Sequence, residues 1–231
     1  MTSLRDKLDR LKRDHAGRTS YHQESRLGHS SPNPWIRKSA EILGWLHEGE
    51  HELLWELAMR PGNGHILEIG SWLGKSTCIL TGACIERGDS SRVVTIDTFC
   101  MDGSFRQTSY YQLLHRKQHG TFYEFIENAK HFGFSEHVIP IATYSQNTVF
   151  LLQHIPFRLA FIDGRHDYDG VRSDIEMVLP LVSPGGVIAI HDVGERYPEI
   201  DAAIMDVLNG TNNVSFLTHL HCLAVYQKEA L

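Results

Sequence analysis

The sequence has few cysteines, no excess of basic residues and no long apolar run. Its four cysteines show no Cys-x-x-Cys spacing and no paired framework, which indicates reduced thiols and a cytoplasmic protein. The formal net charge of -6 offers no basic surface to a nucleic acid backbone, so we expect no nucleic acid partner. No apolar run is long enough to span a bilayer and no signal peptide is recognisable, so we expect no membrane partner.

The first 60 residues differ in character from the rest of the chain. Residues 1–34 are polar, with Leu4, Leu8 and Leu11 at helical spacing, and residues 36–60 have an amphipathic helical pattern that ends at Pro61. We therefore predict an N-terminal helical extension over 1–60. The leucine stripe predicts a packing face against the domain or a second subunit, and we expect a homo-oligomer, a dimer in the simplest case.

From residue 61 onward, predicted strands and helices alternate. Strands are predicted at 65–70, 92–97, 138–143, 158–163 and 186–191, with helices at 74–87 and 168–182. Such alternation predicts a parallel sheet with helices on both faces. Two further strands, at 214–220 and 223–227, are nearly contiguous and predict an antiparallel edge hairpin. The fold class is therefore α/β: a Rossmann-like, doubly wound, mostly parallel seven-stranded sheet over 61–231.

One insertion interrupts this pattern at about 98–136. It is too long for an unstructured loop in a compact domain, and a helix is predicted at 122–132. The preceding residues mix glycine, aromatic and polar side chains, which is typical of a mobile lid over a site. An ordinary surface insertion fits the composition equally well.

A glycine loop follows the first predicted strand. Gly70 and Gly74 allow a sharp turn and the close approach of a ligand to the following helix. Glu68, at the mouth of this loop, would repel a dinucleotide pyrophosphate, whereas S-adenosylmethionine carries an ammonium and a sulfonium and no phosphate. The loop therefore favours a methyl donor, although a glycine loop that serves only helix–strand packing remains the alternative.

Acidic and histidine side chains end the later strands. Asp97 follows the second strand, where a carboxylate suits ribose hydroxyls, although a helix cap or a turn is the alternative. Asp163 and the pair His191 and Asp192 follow two strands predicted to be neighbours, and their types match a divalent metal site. His166, three residues after Asp163, is expected to face the same space.

With these motifs, the chain resembles the class I S-adenosylmethionine-dependent methyltransferases and, among them, the metal-assisted O-methyltransferases, from about Gly64 to Lys228. The loop is similar to that of catechol O-methyltransferase, Asp97 to its ribose-binding acid and Ser145-Gln146 to its adenine-side turn. The cofactor-binding residues that the resemblance implies are Glu68, Gly70, Ser71, Trp72, Gly74, Lys75, Ser76, Asp97, Thr98, Ser145, Gln146 and Asp163.

The resemblance also implies catalytic and metal-binding residues. Asp163 matches the first metal ligand of that family. His166 stands where catechol O-methyltransferase has a catalytic lysine and where macrolide- and aminocoumarin-sugar O-methyltransferases have a histidine. The implied metal ligands are Asp163, His191 and Asp192. The metal-dependent relatives have an acid at the position of His191, and magnesium prefers oxygen, so the choice between Mg²⁺ and Mn²⁺ and the need for a metal stay open.

These residues predict an S-adenosylmethionine-dependent O-methyltransferase that acts on a hydroxyl of a small molecule. The expected acceptor is a sugar or a glycosylated metabolite, with His166 as general base and with Asp163 and a divalent cation assisting. A phenol or catechol acceptor is the alternative, and a non-catalytic cofactor-binding relative is the second. A nucleotide-dependent oxidoreductase is a minor contender, because Glu68 and the absence of a Gly-x-Gly-x-x-Gly motif argue against it.

Overall fold

The computed structural model of the chain describes residues 28–100, 120–194, 196–208 and 211–230. The predictions for Leu4, Leu8 and Leu11, and those for residues 101–119 of the insertion, lie outside the described residues. The helices are α1 (Pro34–Glu41), α2 (Glu50–Met59), α3 (Lys75–Arg87), α4 (Gly120–Phe132), α5 (Val149–Leu152), α6 (Tyr168–Leu181) and α7 (Pro198–Val207). The strands are β1 (His65–Ile69), β2 (Val93–Asp97), β3 (Val138–Ala142), β4 (Phe157–Ile162), β5 (Val182–Ile190), β6 (Val214–Leu220) and β7 (Leu223–Lys228).

The seven strands form one sheet in the order β3-β2-β1-β4-β5-β7-β6. The first five strands are parallel, whereas β7 is antiparallel to both β5 and β6. The predicted seven-stranded, mostly parallel sheet with an antiparallel edge hairpin is therefore confirmed. Strands β2 and β3 lie on one side of β1, and β4 and β5 lie on the other. The carboxyl ends of β1 and β4 therefore mark the switch point, where open α/β sheets bind ligands.

Strand β5 starts earlier than the predicted strand at 186–191. Val182 already pairs with Phe157 of β4, and a register shift separates this pair from the pair of Val187 with Leu159. Between the two pairs lie Pro184 and Gly185, which has a φ of 79°. These two residues are typical of a turn, so the sequence pattern indicates a strand only after them.

Both faces of the sheet are covered by apolar side chains. Along β1, Ile66 belongs to the cluster that contains Trp35 and Leu54 from α1 and α2, whereas Leu67 belongs to the cluster that contains Ile175 from α6. A strand buried on both faces is the expected result of helices on each side. The division at residue 60 stays a prediction, and α1 and α2 share their core with β1. Of the helices that the structure describes, none has the length and apolar character needed to cross a membrane.

Candidate active site

A cavity of about 730 Å³ opens at the carboxyl edge of the sheet, at the switch point. Its lining includes most of the residues that the sequence singled out. They come from the carboxyl ends of the five parallel strands and from the segments that follow them, including the first turn of α3, and they are Gly70, Ser71, Trp72, Lys75, Ser76, Asp97, Thr98, Ser145, Gln146, Asp163, His166, His191 and Asp192.

The glycine loop has the close backbone approach that its composition predicts. Gly70 has a φ of 86°, and a Cβ atom at this position would lie 2.1 Å from the backbone oxygen of Asp163. Only glycine fits between the loops that follow β1 and β4. Trp72 also has a positive φ, of 44°, and its ring stacks on that of Trp45 with centroids 4.9 Å apart. Both tryptophans line the cavity.

The carboxylate of Asp97 connects β2 to this loop. Its Oδ2 accepts hydrogen bonds from the backbone N–H groups of Ser71 and Trp72, at 2.9 and 2.7 Å, and its Oδ1 accepts one from Phe99 at 2.7 Å. Burial raises the pKa of Asp97, although these three N–H groups oppose the shift and Asp163 adds to it. A carboxylate accepts about four hydrogen bonds, so Asp97 can take one more donor, such as a ribose hydroxyl, from the cavity.

Glu68 and Gly74, two of the predicted cofactor-binding residues, do not line the cavity. Glu68 is completely buried, and its two oxygens accept hydrogen bonds from the hydroxyls of Ser76 and Thr77, each at 2.6 Å. Burial raises the pKa of Glu68 to about 7, with the hydroxyl groups opposing the shift. Glu68 therefore lies beneath the loop and holds the start of α3, which corrects its predicted position at the loop mouth.

Gly74 has a packing role in the described structure. Its φ is 93°, and a Cβ atom there would lie 3.2 Å from the ring of Phe125. The glycine thus lets α4 pack closely against the start of α3.

Two other predicted cofactor residues use their polar groups within the protein. The ammonium of Lys75 donates hydrogen bonds to the backbone oxygens of Ser39 and Ile42, at 3.2 and 3.1 Å, at the end of α1. The hydroxyl of Ser145 donates to the carboxylate of Asp174 on α6. Burial raises the pKa of Asp174 to about 6. These contacts fix the walls of the cavity.

Histidines and carboxylates converge at the ends of β4 and β5. The Nε2 atom of His166 lies 2.8 Å from Asp192 Oδ2 and 3.9 Å from Asp163 Oδ1. Burial lowers the pKa of His166, but the two carboxylates outweigh it and raise the pKa to about 9. The imidazole stacks on Tyr197, with ring centroids 4.7 Å apart. Asp192 has a φ of 60°, a strained conformation of the kind that functional sites retain.

His191 connects this cluster to the interior of the protein. Its Nδ1 atom lies 3.3 Å from Asp163 Oδ1, and its Nε2 atom lies 3.1 Å from Glu50 Oε2 on α2. The pKa of His191 is raised well above its usual value, because the carboxylate of Asp163 outweighs the effect of burial. The pKa of Glu50 is lowered to about 2, because hydrogen bonds and the charge of His191 outweigh burial.

Sequence reasoning missed Glu50, Tyr197 and Cys222 as neighbours of this cluster. Glu50 stands 141 residues before His191, and an acid in the first turn of a helix is ordinarily explained by the helix dipole. Cys222 has no cysteine at paired spacing, so the sequence indicates an isolated thiol. Its Sγ lies 3.4 Å from His191 Nε2. None of the three belongs to a motif that links it to the cluster.

The residues at this edge fit a divalent cation. One ligand atom each from Asp163, His191 and Asp192 lie within 4.8 Å of one another. The Nδ1 atom of His191 is buried and has no hydrogen-bond partner. A buried nitrogen without a partner, facing two carboxylates, is typical of a metal ligand set.

Comparisons with known proteins agree with the fold. A family model described as a methyltransferase domain matches residues 67–193, from the middle of β1 to just beyond Asp192.

Three solved structures are similar to this chain at low identity. The cofactor-bound Rv0187 from MTB is 17% identical, with a TM-score of 0.64 over 90% of this chain and 97% of that one. The O-methyltransferase from Bacillus cereus in complex with SAH (S-adenosylhomocysteine) is 16% identical, with a TM-score of 0.62 over 90% and 97%. CalS11, a TDP-rhamnose 3'-O-methyltransferase, is 18% identical, with a TM-score of 0.51 over 77% and 76%.

At these identities the structures support the fold, and the family model supports membership. The model matches more than half of the chain and includes the glycine loop, Asp97, Asp163 and the His191-Asp192 pair. The predicted class I, S-adenosylmethionine-dependent fold is therefore confirmed, and the chain belongs to the methyltransferase domain family.

Proposed function

We propose that the protein is an S-adenosylmethionine-dependent O-methyltransferase that methylates a hydroxyl of a small molecule, a sugar or a glycosylated metabolite. The observation that carries the proposal is the cluster of His166, Asp163 and Asp192 on the wall of the same cavity as the glycine loop. A methyl donor bound along the loop would lie beside an acidic and imidazole cluster suited to a hydroxyl acceptor.

The donor would occupy the side of the cavity next to β1 and β2. In this arrangement, Asp97 accepts a hydrogen bond from a ribose hydroxyl, and Ser145 and Gln146 border the adenine. Gly70, Ser71, Trp72, Lys75, Ser76, Thr98 and Asp163 form the remaining wall. Glu68 and Gly74 support the loop from below.

The transfer forms an oxygen–carbon bond and breaks the sulfur–carbon bond, so the sulfur keeps the electron pair and SAH leaves. Positioning contributes much of the rate, because the sulfonium is already an activated donor. The proton of the acceptor hydroxyl goes to the imidazole of His166, which is held by its stack on Tyr197. Asp192, whose Oδ2 lies 2.8 Å from Nε2 of His166, orients the ring.

A divalent cation, Mg²⁺ or Mn²⁺, held by Asp163, His191 and Asp192 would lower the pKa of the acceptor hydroxyl. Without positive charge between them, these carboxylates raise the pKa of His166 to about 9. Neutralising the carboxylates is thus what leaves His166 free to accept a proton at neutral pH.

The sugar acceptor is favoured by His166, which matches the base position of the sugar-type enzymes, and by the likeness of the fold to CalS11. A phenolic acceptor is the second candidate, favoured by the two tryptophans of the cavity, Trp45 and Trp72. Their faces suit a planar ring as well as the apolar face of a sugar.

The proposal also includes a cytoplasmic homodimer that uses the stripe of Leu4, Leu8 and Leu11. Light scattering on the full chain and on a chain without residues 1–30 tests the dimer. A monomeric mass for both would contradict it.

The direct test is methyl transfer from labelled S-adenosylmethionine to panels of sugars, glycosylated metabolites and phenols, with SAH formation and product mass as readouts. Turnover on the sugar panel supports the proposal, and turnover confined to phenols supports the second candidate. Binding of SAH without turnover on any panel would favour a non-catalytic relative. Failure of folded protein to bind SAH would overturn the proposal.

A further inference from the structure

Glu50 presents a carboxylate to His191 from the buried start of α2. The side chain has no solvent exposure. Its Oε2 accepts a hydrogen bond from the backbone N–H of His47 at 2.6 Å, and its Oε1 accepts one from the backbone N–H of Cys222 at 3.1 Å. Each oxygen of Glu50 thus already accepts a backbone N–H group, which is the arrangement of an ionised carboxylate, an acceptor at both oxygens.

This carboxylate determines which nitrogen of His191 carries hydrogen. Nε2 of His191 lies 3.1 Å from Glu50 Oε2. Because an ionised carboxylate can only accept, Nε2 must be the donor. The other nitrogen, Nδ1, is then the one that can give up its proton to a metal ion, and it faces Asp163 Oδ1 at 3.3 Å and Asp192 Oδ1 at 3.7 Å.

Nδ1 and the two carboxylates lie close enough to need a positive charge between them, which either a proton on Nδ1 or a metal ion supplies. Nδ1 is buried and has no hydrogen-bond partner. A metal ion satisfies all three groups at once, and the order carboxylate, histidine, metal is the usual arrangement in which an outer carboxylate orients a ligating imidazole.

We propose that Glu50 is a positioning residue that fixes the Nε2–H tautomer of His191, so that Nδ1 serves as a nitrogen ligand. The site then selects a cation that binds nitrogen ligands well, such as Co²⁺ or Zn²⁺, over Mg²⁺. This inference rests on the proposed function, in which Asp163, His191 and Asp192 hold a divalent cation. Imidazole is a good ligand for the later transition metals, whereas Mg²⁺ prefers oxygen.

A second placement of the ion, on the other side of the imidazole, is less favourable. Glu50, His191 and Cys222 also bring ligand atoms within 4.8 Å of one another, and the thiol lies 3.3 Å from Glu50 Oε1. In this group, however, both oxygens of Glu50 already accept backbone N–H groups, and His191 Nε2 has Glu50 as its partner. Nδ1 has no partner, so the ion belongs on the side of Asp163.

The test uses Co²⁺ and Mg²⁺ as probes on the full chain, with calorimetry and visible absorption as readouts. Wild type is expected to bind Co²⁺ at least about tenfold more tightly than Mg²⁺. Glu50→Gln is expected to weaken Co²⁺ binding by about 10- to 100-fold. The NH₂ group of the new amide would have to face an N–H group, either that of Cys222 or those of His47 and His191, because all three residues present donors to Glu50.

Cys222→Ala is the matched control. It removes the thiol beside Glu50 and His191 but leaves the carboxylate–imidazole pair, so its Co²⁺ affinity and spectrum are expected to equal those of wild type. A thiolate-to-cobalt charge-transfer band in wild type that is lost in Cys222→Ala would put the ion on the other side of the ring and overturn the proposal. Equal Co²⁺ affinity in Glu50→Gln and wild type would overturn it as well.

Nitrogen-15 spectra of wild type with Zn²⁺ provide a readout that does not depend on the stability of Glu50→Gln. The expected spectrum shows His191 with hydrogen on Nε2 and metal on Nδ1, and the reverse assignment would overturn the proposal. SAH binding is measured on the same samples. Intact SAH binding without Co²⁺ selectivity overturns this inference alone, whereas the expected Co²⁺ behaviour without SAH binding overturns the proposed function.

Discussion

The carboxylate of Asp97 accepts a hydrogen bond from the backbone N–H of Trp72, with Oδ2 and the amide nitrogen 2.7 Å apart. The acid at the end of β2 therefore shapes the loop that follows β1, and it also lines the cavity. The two roles are inseparable, because the carboxylate that holds the loop also lines the cavity.

Replacement of this carboxylate by an amide is expected to weaken cofactor binding. In Asp97→Asn, one accepting oxygen becomes an NH₂ group that faces a backbone N–H. Since a hydrogen bond to a charged group contributes about 1.5–3 kcal/mol, SAH affinity should fall by about 10- to 100-fold. Calorimetric titration with SAH measures this. Asp201→Asn on α7, outside the cavity lining, is the control, and equal affinities for both variants would contradict the role of Asp97.

Gly70→Ala is expected to lower the free energy of unfolding by more than the same substitution at a left-handed glycine whose new Cβ atom meets no other atom. The new Cβ would meet the Asp163 backbone oxygen at 2.1 Å, and it would strain a φ of 86°. Strain in the left-handed region costs about 1–2 kcal/mol, and the collision adds about 1–3 kcal/mol.

Gly88→Ala separates these two effects. Gly88, after α3, also has a positive φ, of 65°, but a Cβ atom there would meet nothing within 4 Å. Urea unfolding of both variants gives the comparison. Equal losses of stability would mean that the loop moves away from Asp163 without resistance.

Glu68 is expected to make the stability of the protein fall as pH rises. Its pKa is about 7 in the folded protein, against an ordinary value of 4.5. Between these values the folded state binds more protons than the unfolded state, so the free energy of unfolding decreases with pH. The contribution is fully present below pH 4.5 and is lost as pH rises through 7. Its size is about 3 kcal/mol.

Glu68→Gln mimics the protonated side chain and should lack this dependence. The free energy of unfolding of wild type, relative to that of Glu68→Gln, is therefore expected to decrease between about pH 5 and about pH 8. Denaturant titrations at both values measure it. Glu176→Gln, on the exposed face of α6, serves as the control, and a difference that does not change with pH would contradict the buried, proton-retaining state of Glu68.

Removal of divalent cations is expected to lower turnover on whichever acceptor proves active. After exhaustive chelation, Co²⁺ or Mn²⁺ should restore more activity than the same concentration of Mg²⁺, because one ligand of the site is the imidazole of His191. Undiminished turnover after chelation, with no gain on adding any of the three ions, would contradict metal assistance.

The sequence predicts the part of this site that depends on strand ends. The carboxyl ends of parallel strands meet at one edge of a sheet, so the order of strands and helices is enough to expect Asp97, Asp163 and His191 near one another. The motif alone misplaces Glu68, because it does not include the alternation of side chains along β1. Glu68 lies two residues after Ile66 and therefore on the face that α3 covers.

The remainder of the site depends on packing between distant segments. Glu50 reaches His191 only because α2 packs on α3 and brings its first turn under the end of β5. Tyr197 reaches His166 through the turn before α7. No local periodicity or spacing encodes these contacts, so a single sequence identifies the reacting groups and leaves their supporting partners unassigned.

His166→Ala is expected to lower kcat by at least about 100-fold, the usual contribution of a general base, while SAH binding is retained. Removal of the ring also removes the stack on Tyr197, so a loss of turnover alone would not distinguish a base from a structural contact. Added imidazole resolves this, because a small base that enters the emptied space restores part of the turnover only where proton removal was lost. His154→Ala, at an exposed histidine outside the cavity, should leave turnover unchanged and show no response to imidazole. Full turnover of His166→Ala with an unchanged pH profile would contradict the assignment and transfer the role of base to another group in the cavity.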